Sequence, residues 1–213
     1  MNSILKKVAV IVAHPDDEIL WAGGTILTHP EWECFIISLC RKNDSDRAPK
    51  FYQVLNTIGA TGLMGDLDDQ PEQAPLSEEE VQNAILALLP ATAFDLIITH
   101  SIYGEYTRHR RHEEIGKAVI QLWQKDYLQT KELWAFAYED GNRTYNPVII
   151  RDAPLTFLLP RLIWERKYQI VTEIYGFKAE SWEAQTTPKE EAFWRFSAAQ
   201  DAFIWLHQSY ITT

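Results

Sequence analysis

Residues 8–20 read VAVIVAHPDDEIL. Val8–Ala13 is a short run of small and β-branched apolar residues, the composition of a strand buried on both faces. It stops abruptly at His14, Pro15, Asp16, Asp17 and Glu18. From Glu18 to Thr28 the apolar residues return at helical spacing, and Pro30 ends them. A buried strand, a polar turn and a helix in immediate succession form the opening unit of an α/β fold.

The same alternation continues outward from this stretch. Cys34–Leu39 reads as a second buried strand and Ala48–Ile58 as a helix closed by Gly59. TGLMGDLDD, from residue 61, holds a weak third strand and a polar turn. Ser77 and Glu80 make a capping box for the next helix. Asp95–His100 is the fourth strand, Arg111–Gln124 a helix and Leu133–Tyr138 the fifth strand. Strand and helix in alternation predict a Rossmann-like three-layer sandwich with a mostly parallel sheet in a single domain. We expect that domain to span residues 1–213, with a core over 1–138 and a C-terminal edge and cap over 139–213. In the latter part, residues 139–147 read as a long turn, Pro160 interrupts an apolar run, and a terminal helix is expected from Pro188.

Composition narrows the function. The 213 residues carry a formal net charge of −10, which argues against nucleic acid as a main partner. No apolar stretch reaches membrane-spanning length. MNSILKK is followed by only six apolar residues and then carboxylates, too short a run for a signal-peptide core. Cys34 and Cys40 are six positions apart; on a strand that is roughly 20 Å, too far for a disulfide. Reduced core cysteines and no targeting segment make the cytoplasm the expected location.

Two polar clusters follow strands. His14, Asp16 and Asp17 combine imidazole and carboxylate, donors that suit zinc or another divalent first-row metal. The alternative is a helix cap, in which one aspartate satisfies the first amides of the following helix. The second cluster, HSIYGEYTRHRRHEEIG, supplies His100, His109 and His112. His109 and His112 are spaced i, i+3 and so share one helical face. A doubly wound sheet sets its first and fourth strands side by side, which lets both clusters share one ion.

These strings carry a resemblance. AHPDDE at residues 13–18, GGT at 23–25, the Arg47 to Gly62 segment ending LNTIGATG, and DLIITH before a GEY…H..H stretch resemble the LmbE-like, or PIG-L, N-acetyl-sugar deacetylases over about the first two-thirds of the chain. The resemblance implies a metal-dependent hydrolase that removes an N-acetyl group from an amino sugar or sugar conjugate of the N-acetylglucosamine type. It implies Zn2+, or another divalent metal such as Fe2+, held by His14, Asp17 and His112. It implies Asp16 as general base, His109 as the group that stabilises the oxyanion or protonates the leaving amine, and Arg47 near the substrate. The expected partner is a small-molecule N-acetyl amino sugar or glycoconjugate, with a homo-oligomer left open.

The chain departs from that pattern where the family has His-Pro-Asp-His: here it reads His109, Arg110, Arg111, His112. The aspartate that orients the first histidine is missing. Arg108, Arg110 and Arg111 form either a solvated helix face or a grip on an anionic substrate group. Other residues stay open as well: His100 as support for the site or as core, Asp66 as a site residue or a turn cap, and residues 175–184 as a sugar platform or aromatic core. His29 and His207 read as structural or exposed, and Glu18 has no assigned task. The competing function is a non-catalytic sugar- or nucleotide-binding domain of the same fold. A general base beside a metal is superfluous in such a domain, and a nucleotide enzyme calls for a glycine-rich loop after the first strand.

Overall fold

The computed structural model describes residues 5–72 and 74–208; part of the N-terminal MNSILKK segment, Met1–Ile4, lies outside the described residues. A seven-stranded sheet has the order β3-β2-β1-β4-β5-β9-β8. At its centre is β1 (Lys6–Val12), flanked by β2 (Trp32–Cys40) and β4 (Leu96–Thr99). Outside them lie β3 (Thr61–Leu67) and β5 (Leu133–Phe136), and all five strands are parallel. Val8 through Val12 are fully buried, as an apolar run with helices on both faces requires.

Alternate residues of β1 face two separate cores. Val8, Val10 and Val12 pack with α1 (Asp17–Thr28) and α2 (Arg47–Ile58). Ala9, Ile11 and Ala13 pack with α3 (Glu78–Leu88) and α4 (Arg110–Gln124). The result is the expected three-layer α/β sandwich. The order reverses at β1, so the crevice beyond the carboxyl ends of β1 and β4 is the switch point where such folds bind ligands.

The C-terminal part differs from the expectation in two places. Tyr138 leaves β5 and pairs instead in a small hairpin of β6 (Tyr138–Glu139) and β7 (Val148–Ile149). The predicted helix from Pro188 is a strand, β9 (Glu190–Phe196), antiparallel to β5 on one side and to β8 (Leu155–Leu158) on the other. Its charged residues hide the pattern, because Glu191 is fully buried. There it accepts from the amides of Gly24 and Thr25, the Thr25 hydroxyl and Lys167 Nζ, at 2.6 to 2.7 Å. Lys167 belongs to α5 (Arg161–Gln169), which starts after Pro160 and runs into a π-helical turn at Ile170–Ile174. The terminal helix is α7 (Ala199–Gln208), and a short α6 (Trp182–Thr186) precedes β9. No described helix is long and apolar enough to cross a membrane.

Candidate active site

The chain leaves β1 at Ala13, one residue before His14, and enters α1 through Asp16. The backbone of Asp16 has φ 122° and ψ −30°, a region costly for a residue with a side chain. Two contacts hold it there: its amide donates to Glu18 Oε2 at 3.0 Å, and Arg47 Nη1 reaches its Oδ2 at 2.9 Å. Although Asp16 occupies the N-cap position, its side chain makes no capping hydrogen bond. Asp17 does not cap either. Its Oδ2 accepts from the His14 amide at 2.8 Å, and its Oδ1 from Trp21 Nε1 at 3.0 Å. The helix-cap alternative is therefore excluded for both aspartates.

His14 Nδ1, Asp17 Oδ2 and His112 Nε2 meet in a triangle with edges of 3.1, 3.2 and 3.3 Å. The tautomers follow from the partners on the far side of each ring. His14 Nε2 faces Asp69 Oδ1 at 3.1 Å, and His112 Nδ1 faces Glu105 Oε2 at 2.5 Å. With the ring protons on those two nitrogens, three lone-pair donors point at one another. Donors held about 2.0 to 2.1 Å from one tetrahedral cation are roughly 3.3 Å apart, so the triangle fits a small divalent ion. Negative charge gathers at the triangle: burial works against a cationic His14, yet Asp17 and Asp69 outweigh it and raise its pKa well above the ordinary value, so a proton and a metal ion compete for Nδ1. Asp17 itself is held well below the usual carboxylate range; burial opposes this, but His112 and His100 prevail. His14, Cys40 and Asp69 are also close enough to share an ion. There, however, Asp69 Oδ2 is already held by Arg41 Nε and Nη2 at 3.0 and 2.8 Å.

Two carboxylates that the sequence reasoning did not single out thus orient the candidate ligands from behind. Asp69 lies just past β3 and braces His14; Glu105, fully buried after β4, braces His112. The sequence signal for Glu105 was its place inside the GEY string. Asp66, weighed from the sequence as a site residue or a turn cap, accepts from Asn43 Nδ2. Glu105 also takes His100 Nδ1 at 2.9 Å and the Ser101 amide at 2.9 Å. His100 Nε2 in turn accepts the Ala13 amide at 2.9 Å. His100 is therefore a buried strut, stacked on His112 with ring centroids 3.9 Å apart.

His109 precedes α4 and stacks on His112, with centroids 4.4 Å apart. Burial, with positive charge at His112 and His14 adding to it, lowers its pKa to about 2. The shift favours the neutral imidazole over the cation. Asp16 moves the other way: burial and the neighbouring Asp17 charge raise its pKa well above the ordinary value, against the pull of Arg47. Asp16, His14, Asp17, Arg47 and His109 line one cavity of about 160 Å³, together with Tyr106 and Trp182. The Arg47 guanidinium sits over the Phe177 ring at 4.3 Å.

The arginines divide. Arg108 closes on Glu113 at 3.1 and 3.0 Å. Arg111 is no part of a solvated face: it is fully buried, bonding the carbonyls of Asp68 and Ala74 and the Glu114 carboxylate. It pins the loop that carries Asp69. Arg110 is exposed. In the 175–184 segment, Tyr175 is core, while Trp182 reaches the cavity. Tyr175 donates its hydroxyl to Glu18 Oε1, so Glu18 ties Asp16 to the π-helical turn. Cys34 and Cys40 are both buried free thiols, as expected, and burial pushes Cys34 up to about 12.

The solved structures of similar shape carry the same architecture. The N,N'-diacetylchitobiose deacetylase of Pyrococcus horikoshii superposes with a TM-score of 0.68 at 16% identity, over 94% of this chain and 85% of that one. The chain has the fold of the LmbE-like, or PIG-L, deacetylases. A teicoplanin deacetylase, solved in a zinc-inhibited form, gives a TM-score of 0.57 at 13% identity, over 80% and 84% of the two chains. The same fold also serves a hydratase: GalB, the 4-carboxy-2-hydroxymuconate hydratase of Pseudomonas putida, gives 0.59 at 16% identity, over 85% and 83%. Among curated sequences, an uncharacterized protein of Acanthamoeba polyphaga mimivirus is 23% identical over 155 residues, 66% of this chain. The match spans 65% of that relative's length. No protein-family model matches the chain.

Proposed function

We propose that the protein is a metal-dependent N-deacetylase acting on an amino sugar or sugar conjugate of the N-acetylglucosamine type. One observation carries the proposal: His14 Nδ1, Asp17 Oδ2 and His112 Nε2 converge within 3.3 Å of one another, beside the cavity that the Asp16 carboxylate lines. His14, Asp17 and His112 would hold the metal through Nδ1, Oδ2 and Nε2. When bound, a divalent cation supplies Lewis-acid chemistry, polarising an acyl oxygen and acidifying water.

The chain's own residues do the rest. Asp16, held by Arg47 and by its amide bond to Glu18, takes the proton that the attacking water loses as the new C–O bond forms. Its raised pKa suits a group that accepts a proton and then returns it. His109 is neutral and donates a ring N–H to the acyl oxygen as charge builds there. Asp16 then gives its proton to the departing nitrogen, the C–N bond breaks, and acetate and a free amine result. This assigns proton delivery to Asp16 and leaves His109 the oxyanion.

The hydratase of the same fold favours a second reading, addition of water to an unsaturated acid. A single assay separates the two. Protein dialysed against a chelator and reloaded with zinc or iron should release acetate from N-acetylglucosamine derivatives only in the reloaded state. Equal acetate release with and without metal refutes the proposal, as does hydration of enoate substrates with no acetate release.

A further inference from the structure

Three neighbouring strands each deliver one metal donor to the same spot, on the side of the His14 ring that the chemistry above does not use. His14 follows β1, Cys40 is the last residue of β2, and Asp69 lies just past β3. The Cys40 amide donates to the Ala13 carbonyl at 2.9 Å, which ties the end of β2 to the turn that carries His14. A ring nitrogen of His14, the Cys40 sulfur and an Asp69 oxygen lie within 4.8 Å of one another.

The ring nitrogen turned toward this set is Nε2, 3.1 Å from Asp69 Oδ1. Arg41 occupies only the other oxygen, Oδ2. It therefore orients the carboxylate and leaves Oδ1 to act as a single-oxygen ligand. Nitrogen and oxygen donors about 2.0 to 2.1 Å from a tetrahedral ion are roughly 3.3 Å apart, close to the edge seen here, and a thiolate at about 2.3 Å spans a wider one. Cys40 is fully buried and the Asp69 side chain is 7% exposed, so little water competes for an ion held between them. The cavity lined by His14 and Arg41 gives that ion a way in. Thiolate and imidazole together favour zinc over magnesium or manganese.

We infer that His14 Nε2, Cys40 Sγ and Asp69 Oδ1 form a second metal site for a thiophilic divalent ion such as zinc, with the His14 imidazole bridging it to the ion of the first triangle. Filling it expels one proton from Nε2 and one from the thiol, both to solvent. It also turns Asp69 from the brace of the His14 ring into a ligand. This second site shares with the proposed deacetylase centre only that ring.

Cobalt(II) titration of the full chain, stripped with a chelator and kept reduced by a phosphine, is the test. About two cobalt ions should bind per chain, and the second should bring the near-ultraviolet charge-transfer band of a cobalt–thiolate bond. The chain has two cysteines, so the band has one other possible source. Cys40→Ser and Cys40→Ala should each lose the band and still hold about one ion, which also shows that they fold, while Cys34→Ser keeps the band. No band in the wild type at excess cobalt overturns the site, and so does a band that survives both Cys40 substitutions or is lost with Cys34. Acetate release from the same samples separates the two readings. A Cys40-dependent band without acetate keeps this site and removes the deacetylase; acetate release without the band removes this site alone.

Discussion

Glu105→Gln is the most informative substitution behind the candidate metal centre. Three N–H groups converge on two carboxylate oxygens: His112 and His100 on Oε2, Ser101 on Oε1. Glutamine offers a single acceptor oxygen. In its better orientation the oxygen keeps both imidazoles and the amide NH2 is forced against the Ser101 N–H. One buried donor is left unsatisfied, at a cost of about 1–3 kcal/mol, and two charge-assisted bonds become neutral ones of roughly half the strength. The sum is about 3 kcal/mol. Linkage gives the same size: burial raises the Glu105 pKa, but His100 and His112 bring it from 4.5 down to about 2. A depressed folded-state pKa contributes stability above about pH 4.5 that is lost as pH falls toward 2, about 3 kcal/mol in all. The variant lacks that contribution, so its stability should change less with pH between 4.5 and 2. With the His112 ring no longer held by a carboxylate, metal affinity should fall by about 10- to 100-fold. Urea unfolding across that pH range and competition with a chromophoric chelator measure the two effects. A variant with wild-type stability and wild-type metal affinity refutes Glu105 as the brace of His112.

Two further substitutions probe neighbouring supports. Gly116 packs where α4 meets the end of β4; a methyl group there would lie 2.5 Å from the His100 carbonyl oxygen, a backbone atom that cannot swing aside. Gly116→Ala should cost about 1–3 kcal/mol and weaken metal binding, because His112 stands one turn earlier on the same face; thermal melting and metal titration indistinguishable from wild type would rule this out. Burial raises the Glu18 pKa from 4.5 to about 7, with the Tyr175 hydroxyl and the Asp16 amide working against it. A raised folded-state pKa gives stability that is complete below about pH 4.5 and lost as pH rises to about 7, so Glu18→Gln should remove a slope worth about 3 kcal/mol from urea unfolding between those values; an unchanged slope sinks it.

The fold was legible wherever one physical pattern ruled a segment. The apolar strands β1 and β4 and the Ser77-capped helix could be read because burial on both faces and helical period leave plain marks. Strand β9 could not: Glu191 is charged in sequence and buried in space, neutralised by Lys167 from α5 and by amides of α1. Partners 167 residues away leave no local trace. The site divides in the same way. His14, Asp16, Asp17, Arg47, His109 and His112 stand in strings that announce themselves, and the structure brings them to one cavity or its wall. Asp69 and Glu105 are single carboxylates whose task exists only once β3 and β4 set them behind the two rings. Arg111 was misread for the opposite reason: a charge in a basic run suggests solvent, and its burial depends on carbonyls from a loop about 40 residues earlier.

The central claim is that Asp16 handles the proton while His14, Asp17 and His112 hold the ion. Asp16→Asn tests it in one preparation, by metal content and acetate release together. The predicted result is metal bound as in the wild type, with turnover lower by about 10²- to 10⁴-fold. Metal retained with turnover undiminished would contradict the account.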